Sequence, residues 1–222
     1  MYLPPHFNAK DPAMALRLMR EHPLASLISN DDEGLPYVTH LPLHVDAAEG
    51  APDAGGWRLL GHVAKPNPHW RYLAARPQAL VTFLGPHAYL SPKVYPDLAR
   101  VPTWNYLAVH ARVTVTLIEE PPAKDALLKK LIGDHEPPYA QQWIDLGEDF
   151  QHKMLAGIVA FELRVDSLQC KVKLNQHRRE AHVAMREAYA AGDENHQALG
   201  RWMDELGLPA IPPSENMQGD VK

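Results

Sequence analysis

The sequence predicts a mainly antiparallel β-barrel with helices at its periphery, and three observations predict it. Seven or eight segments carry strand patterning, against a few helical ones. The strands do not alternate with long helices, as a doubly wound parallel sheet would require. The longest strand, Asn105 to Glu119, alternates cleanly, with Val113, Val115 and Leu117 on one face and Thr114 and Thr116 on the other. Short strands joined by Gly/Pro turns close on themselves rather than lie between helix layers.

In chain order, Asp11-Pro12 starts a helix carrying Met14, Leu16, Leu18 and Met19, which His22-Pro23 ends. Leu24 to Ser29 is a short apolar strand. Asp31-Asp32-Glu33-Gly34 is a turn, and Leu35 to Val45 returns as a strand interrupted by Pro42. Ala47 to Gly56 is a small-residue loop, and Trp57 to Ala64 the next strand. Ala79 to Leu84 and His87 to Ser91 read as two strands joined at Gly85-Pro86. After the long strand, Pro121-Pro122 opens a helix with an apolar face of Leu127, Leu128, Leu131 and Ile132. Asp149 to Leu155 is a short helix, and Ile158 to Val165 and Leu168 to Leu174 are strands. In the second of these, Cys170, Val172 and Leu174 alternate with Gln169, Lys171 and Lys173. A charged helix is expected from Gln176 to a break at Gly192-Asp193. A last helix carries Leu199, Trp202, Met203 and Leu206, and a frayed tail follows.

Composition narrows the class. The chain has 222 residues, 45% hydrophobic and 22% charged, which is ordinary for a globular protein. A net charge of −5 disfavours a broad nucleic-acid footprint. The one cysteine, Cys170, leaves no internal disulfide and suits the cytoplasm. Met1 to Lys10 has no secretory pattern, and no apolar run approaches a membrane span.

Gly61-His62-Val63-Ala64-Lys65-Pro66-Asn67-Pro68-His69-Trp70 is the segment richest in information. It reads as a strand, a tight turn and a helix start, with Asn67 as N-cap and Pro68 at the first helical position. Lys65 beside such a start suits an anion, especially a phosphate; a plain capped helix with Lys65 on its surface fits the same letters. Two further loops are polar: Thr39-His40-Leu41-Pro42, and Val101-Pro102-Thr103-Trp104-Asn105-Tyr106. The second combines flat apolar rings with amide and hydroxyl groups, as a planar heterocycle requires, although loop aromatics also simply anchor loops. The 13 histidines do not fall into metal-ligand spacings. No nucleophile elbow, P-loop or dinucleotide fingerprint is present, so no nucleophile or general base is identified.

The ordered motifs carry a resemblance. From Met1 to about Arg178 the chain resembles the PaiB-type family, FMN-binding negative transcriptional regulators with a split-barrel fold. The motifs are Met1-Tyr2-Leu3-Pro4-Pro5-His6-Phe7, Pro23-Leu24-Ala25, Thr39 to Pro42, Gly61 to Pro68, Gly85 to Pro92, Val101 to Tyr106, Val109-His110, and Lys171 to Arg178. Departures from the family pattern are Val94, where an aromatic is usual, Asn175 and His177 near the end, and Arg112-Val113 where a glycine is usual.

The resemblance implies an antiparallel FMN-binding split β-barrel that dimerises and holds FMN in the groove between subunits. It implies cofactor-binding roles for Thr39, His40, His62, Lys65, Asn67, Ser91, Thr103, Trp104 and Asn105, with Lys65 on the phosphate and Thr39 and His40 on the phosphate or ribityl chain. It divides the chain into a flavin domain at 1–178, a helical extension at 179–208 and an unstructured tail at 209–222. The expected function is a cytoplasmic, flavin-bound homodimeric regulator. A flavin reductase or oxidase using a nicotinamide donor, or a haem-binding split barrel, are the alternatives. No basic recognition helix is visible, so direct DNA binding is expected to be weak or absent. Arg178, Arg179 and Arg186 are offset by Glu180 and Glu187; the opposing expectation is that dimerisation brings Lys171, Lys173, Arg178 and Arg179 of two chains into one basic stripe.

Overall fold

The computed structural model describes residues 1–47, 56–97 and 99–208. Most of the loop expected at 47–56, and the tail expected from 209, lie outside the described residues. Helix α1 (Pro12–Glu21) starts where Asp11 accepts from the Ala13 N–H. Strands β1 (Leu24–Asn30) and β2 (Pro36–Pro42) follow. The turn between them is closed by the Asp31 carboxylate, which accepts from the N–H groups of Glu33 and Leu35. Gly34 there sits at φ 80°, a backbone region that favours glycine. Next come β3 (His44–Asp46), β4 (Arg58–Ala64), α2 (His69–Ala75), β5 (Gln78–Leu90) and β6 (Thr103–Ile118). Then follow α3 (Pro121–His135), α4 (Tyr139–Asp145), α5 (Glu148–Ala156), β7 (Ile158–Lys173), α6 (His182–Ala190) and α7 (Glu194–Glu205). The seven strands form one sheet in the order β2-β1-β5-β6-β7-β4-β3, with β1–β2, β1–β5, β3–β4 and β4–β7 all antiparallel.

Three elements differ from the sequence reading. Gly85-Pro86 is not a turn, because β5 runs through it. Burial along β5 alternates up to Phe83, then Gly85 and Pro86 are both buried and the phase reverses, as an extra residue in one strand causes. Pairing with β1 is confined to Leu80–Thr82, so Pro86 has no β1 partner to deprive of a bond. The two expected strands at 158–165 and 168–174 are one, β7, whose buried positions also change phase around the exposed Asp166 and Ser167. The helix expected from Gln176 begins only at His182, after a short 3-10 turn at Arg179–Ala181. Asn175 at φ 61° redirects the chain, and the Gln176 side chain bonds Leu174 N–H and Val172 C=O across the bend. The α4 helix has no counterpart in the sequence reading.

The chain divides into two compact units, each described by itself. Unit 1 is Met1, Ala9–Phe83 and Ala108–Cys170. Its β1–β2 register pairs Ala25 with Leu41, Leu27 with Thr39 and Ser29 with Tyr37, the more buried side of the pair. Leu127 and Leu131 of α3 pack with Leu60 of β4 and Ala160 of β7, joined by Ile118 and Leu128. At Gly61 a Cβ would come 2.5 Å from a Leu43 methyl carbon and 3.3 Å from a Leu41 one, so any larger residue there makes these buried side chains shift. Unit 2 is Tyr2–Asn8, Leu84–Leu107 and the described part of Lys171–Lys222. Its helices α6 and α7 are tied down by side chains. The Asn105 amide donates to the Tyr189 hydroxyl at 2.8 Å, and the Asn195 carbonyl accepts from the His87 N–H at 3.4 Å. Arg186 of α6 pairs with Asp204 of α7.

Candidate cofactor site

In unit 1 the turn after β4 is held by a closed polar network. His69 is fully buried, its Nε2 3.0 Å from Ser29 Oγ and its Nδ1 2.7 Å from Thr39 Oγ1. The Asn67 amide donates to Thr39 Oγ1 at 3.2 Å, and its carbonyl accepts from the His69 N–H at 3.0 Å and from Tyr37 OH at 3.5 Å. Burial pulls the His69 pKa down to about 4, so the ring is neutral at physiological pH. The expected N-cap shifts by one residue: Pro68, not Asn67, holds that position and brings no side-chain cap, while the Asn67 carbonyl closes the turn before it by accepting from the His69 N–H. The helix is only seven residues long, so its dipole adds little, and any anion would have to be held by Lys65.

Lys65 is exposed at the strand end. Its backbone is fixed, the N–H donating to Gly157 C=O at 2.8 Å and the C=O accepting from Trp70 Nε1 at 3.1 Å. Its ammonium has no partner among the described residues. Thr39 and His40 do not serve one pocket together: neighbouring strand residues face opposite sides. Thr39 points to the His69 network, whereas His40 pairs across the other face with Ser26, its Nδ1 3.0 Å from Ser26 Oγ. His62, half-buried on β4, has a buried Nδ1 with no partner among the described residues, and burial lowers its pKa. A groove of about 930 Å³ opens on unit 1, lined among others by Gln78, Leu80, His110, Arg112, Asp166 and Gln169. None of the residues proposed from sequence lines it.

In unit 2, Ser91 Oγ accepts from Lys93 N–H at 3.3 Å and caps a 3-10 turn. Thr103 Oγ1 accepts from Lys173 Nζ at 2.6 Å. Trp104 is 53% exposed and packs edge-on against the 49% exposed Tyr89, ring centroids 6.2 Å apart. Asn105 is fully buried rather than displayed at a ligand edge; its amide nitrogen goes to Tyr189 and its carbonyl oxygen has no partner among the described residues. Lys171 and Lys173, two apart on β7, both approach the Tyr106 ring, at 5.0 and 5.9 Å from its centroid.

Sequence reasoning missed Ser29, Tyr37 and His69 as one network, because their register depends on how β1, β2 and α2 pack. It read Lys171 and Lys173 as a strand alternation and as part of a basic stripe shared by two chains, not as a recess within one chain; the absence of an acidic residue between Gln169 and Arg179 was the available signal. Cys170 is buried, and burial raises its thiol pKa to about 12, so it is not a nucleophile. Among the described residues, no group of three or more His, Cys, Asp and Glu is placed to hold a metal ion.

Residues 1–167 match the model of the family described as "Putative FMN-binding domain". The chain is 32% identical, over 81% of its length and 84% of the relative's, to the protease synthase and sporulation protein PAI 2 of Bacillus subtilis. Among solved structures, the flavocytochrome Anf3 of Azotobacter vinelandii superposes with a TM-score of 0.59 at 17% identity, covering 76% of this chain and 70% of that one. The FAD- and haem-binding protein of Mycobacterium smegmatis gives 0.53 at 20% identity, covering 75% and 73%. At these identities the two structures speak to the fold, an antiparallel split barrel. An exposed, unpaired lysine after β4 and a buried histidine nitrogen lacking a partner both fit a phosphate-bearing, hydrogen-bonding cofactor. The chain belongs to the PaiB-type family of FMN-binding split-barrel proteins, whose cofactor is FMN.

Proposed function

We propose that the protein works as a cytoplasmic, FMN-bound homodimer that regulates through its flavin or a protein partner rather than by reading DNA bases. The observation that carries this reading is the exposed Lys65 ammonium, without a partner among the described residues, at the end of the strand that also carries the unpartnered His62 Nδ1. The sheet face on β1 and β2 is apolar and uncovered: Leu24 and Val38 are exposed, Ile28 and Leu80 half-buried, and register places all four on one side with His40. A second copy laid on that face would bury it, and an interface above about 1,000 Å² is expected.

Bound FMN supplies reversible electron transfer. Lys65 takes the phosphate, and His62 Nδ1 takes a polar group of the cofactor. Thr39 and Asn67 act by holding the Lys65 turn, since their side chains are already committed to His69. In unit 2 the exposed Trp104 and Tyr89 rings offer flat apolar surface, and Ser91, Thr103 and Asn105 keep the loops that carry them in shape.

The basic residues near the C-terminus support indirect regulation. Arg186 of α6 is turned onto α7, donating to Met203 and Leu208 carbonyls as well as pairing with Asp204. Arg178 faces Glu180 at 3.9 Å. Arg186 thus does not project as a recognition-helix side chain would, and Arg178 lies before the helix begins. The test is an absorption spectrum and light scattering on protein as purified. The reading expects a flavin spectrum and twice the chain's mass. A Soret band would turn it towards haem, steady consumption of a reduced nicotinamide towards an oxidoreductase, and a single-chain mass at micromolar concentration would remove the dimer.

A further inference from the structure

Two cations in unit 2 are packed together without a counter-ion among the described residues. Lys171 is 7% exposed, and its ammonium donates once, to Tyr2 C=O at 3.1 Å. Lys173 is half-buried and also donates once, to Thr103 Oγ1 at 2.6 Å. Each ammonium carries three donors, so four N–H bonds are left without an acceptor among the described residues. Both stand over the Tyr106 ring, and Lys171 also over the Tyr2 ring at 5.8 Å. Ring faces soften the burial of a cation but do not neutralise it.

A neighbouring histidine senses the positive charge. His177 packs on His6, with ring centroids 4.8 Å apart. Burial first, then His6, Arg178 and Lys173 lower the His177 pKa, against one raising influence, Glu180. Glu180 is shared between Arg100 and Arg178. The Lys173 pKa is likewise lowered, by burial and then by Lys171. Burying like charges side by side is unfavourable unless something of opposite sign joins them, and in a chain of net charge −5 this concentration is not a by-product of composition.

We propose that Lys171, Lys173 and Thr103, roofed by Tyr106, form a binding site for an oxyanion, the phosphate group of a small ligand. A nucleic-acid backbone fits less well. Lys171 is sunk in the structure rather than projecting, and Arg178, which would extend a basic stripe, is occupied by Glu180. A free phosphate-bearing ligand and the phosphate of FMN itself share the same chemistry, so the test separates them.

The experiment titrates inorganic phosphate and pyrophosphate into the full chain, with and without FMN, at constant ionic strength set with chloride. Binding is read by calorimetry and by protection of Lys173 from an amine-labelling reagent, mapped by mass spectrometry. Lys173→Met keeps the stem and removes the charge. It relieves repulsion with Lys171, so it should fold, and Lys10→Met serves as an exposed control. The expected result is saturable protection of Lys173 and at least tenfold weaker phosphate binding in Lys173→Met, with Lys10→Met unchanged. Binding that disappears on FMN loading assigns the site to the flavin's phosphate in place of Lys65, and binding that persists leaves Lys65 that role and assigns the site to a second ligand; both support the oxyanion site. Equal phosphate affinity in parent and Lys173→Met, or protection by a DNA duplex but by neither phosphate nor pyrophosphate, overturns it.

Discussion

The His69 network in unit 1 and the Lys171–Lys173 recess in unit 2 are both buried polar clusters, yet they are built on opposite terms. Around His69 every ring nitrogen has a hydroxyl partner, and Asn67 and Thr39 satisfy each other. Around Lys171 and Lys173 each cation has one neutral acceptor and no carboxylate. A closed cluster contributes stability and fixes a loop; an open one waits for a group from outside. Function is therefore to be sought at the unpaired cations, Lys65 included, and stability at the closed network.

The largest expected effect comes from opening the closed cluster. His69→Ala removes a fully buried ring and strands Ser29 and Thr39, so it should cost about 3 kcal/mol or more, read from the denaturation midpoint. A loss under about 1 kcal/mol would mean that the network holds nothing.

Acid attacks the same cluster. In the folded chain His69 stays neutral down to about 4, whereas its ordinary value is 6.5. Between those values the unfolded state binds more protons. The contribution is thus complete above about 6.5 and is lost as pH falls towards 4, at no more than about 1.4 kcal/mol per pH unit. The pKa of His62 is lowered in the same direction and adds to the slope. Denaturation across that window should show stability rising with pH, and His69→Gln should flatten the curve. A flat parent curve would contradict a buried neutral His69.

In unit 2, Tyr189→Phe leaves the buried Asn105 amide without its acceptor and should cost about 1–2 kcal/mol. Hydrogen exchange should show α6 opening more often, with α1 unchanged. The smallest effect is reserved for exposed pairs: Lys130→Met breaks the 2.8 Å pair with Asp46 and should cost less than about 1 kcal/mol.

What could be read from the letters follows the same division. Local chemistry was legible: the Asp31–Gly34 turn, the Asp11 cap and the apolar face of α3 each depend on residues close in sequence. Gly85-Pro86 misled because a glycine and a proline signal a turn unless a bulged strand carries them through, and that depends on where β1 stops pairing. Asn175 hid the late start of α6, since its left-handed conformation answers to the Tyr95 hydroxyl and the His182 ring that hold it. Of the candidate site, Lys65 and Trp104 are displayed as the sequence suggests. Asn105 and Thr39 are turned inward to partners on other elements, which spacing along the chain cannot reveal.

The most direct measurement is a fluorescence titration of FMN into three proteins: the parent, Lys65→Ala and Thr39→Val. If unpaired cations bind and closed networks support, Lys65→Ala raises the dissociation constant about ten- to a hundredfold, the loss of one charge-assisted bond. Thr39→Val then lowers stability by about 1–3 kcal/mol while shifting the constant by no more than about twofold. A Lys65→Ala constant equal to the parent's, with Thr39→Val abolishing binding, would contradict the account.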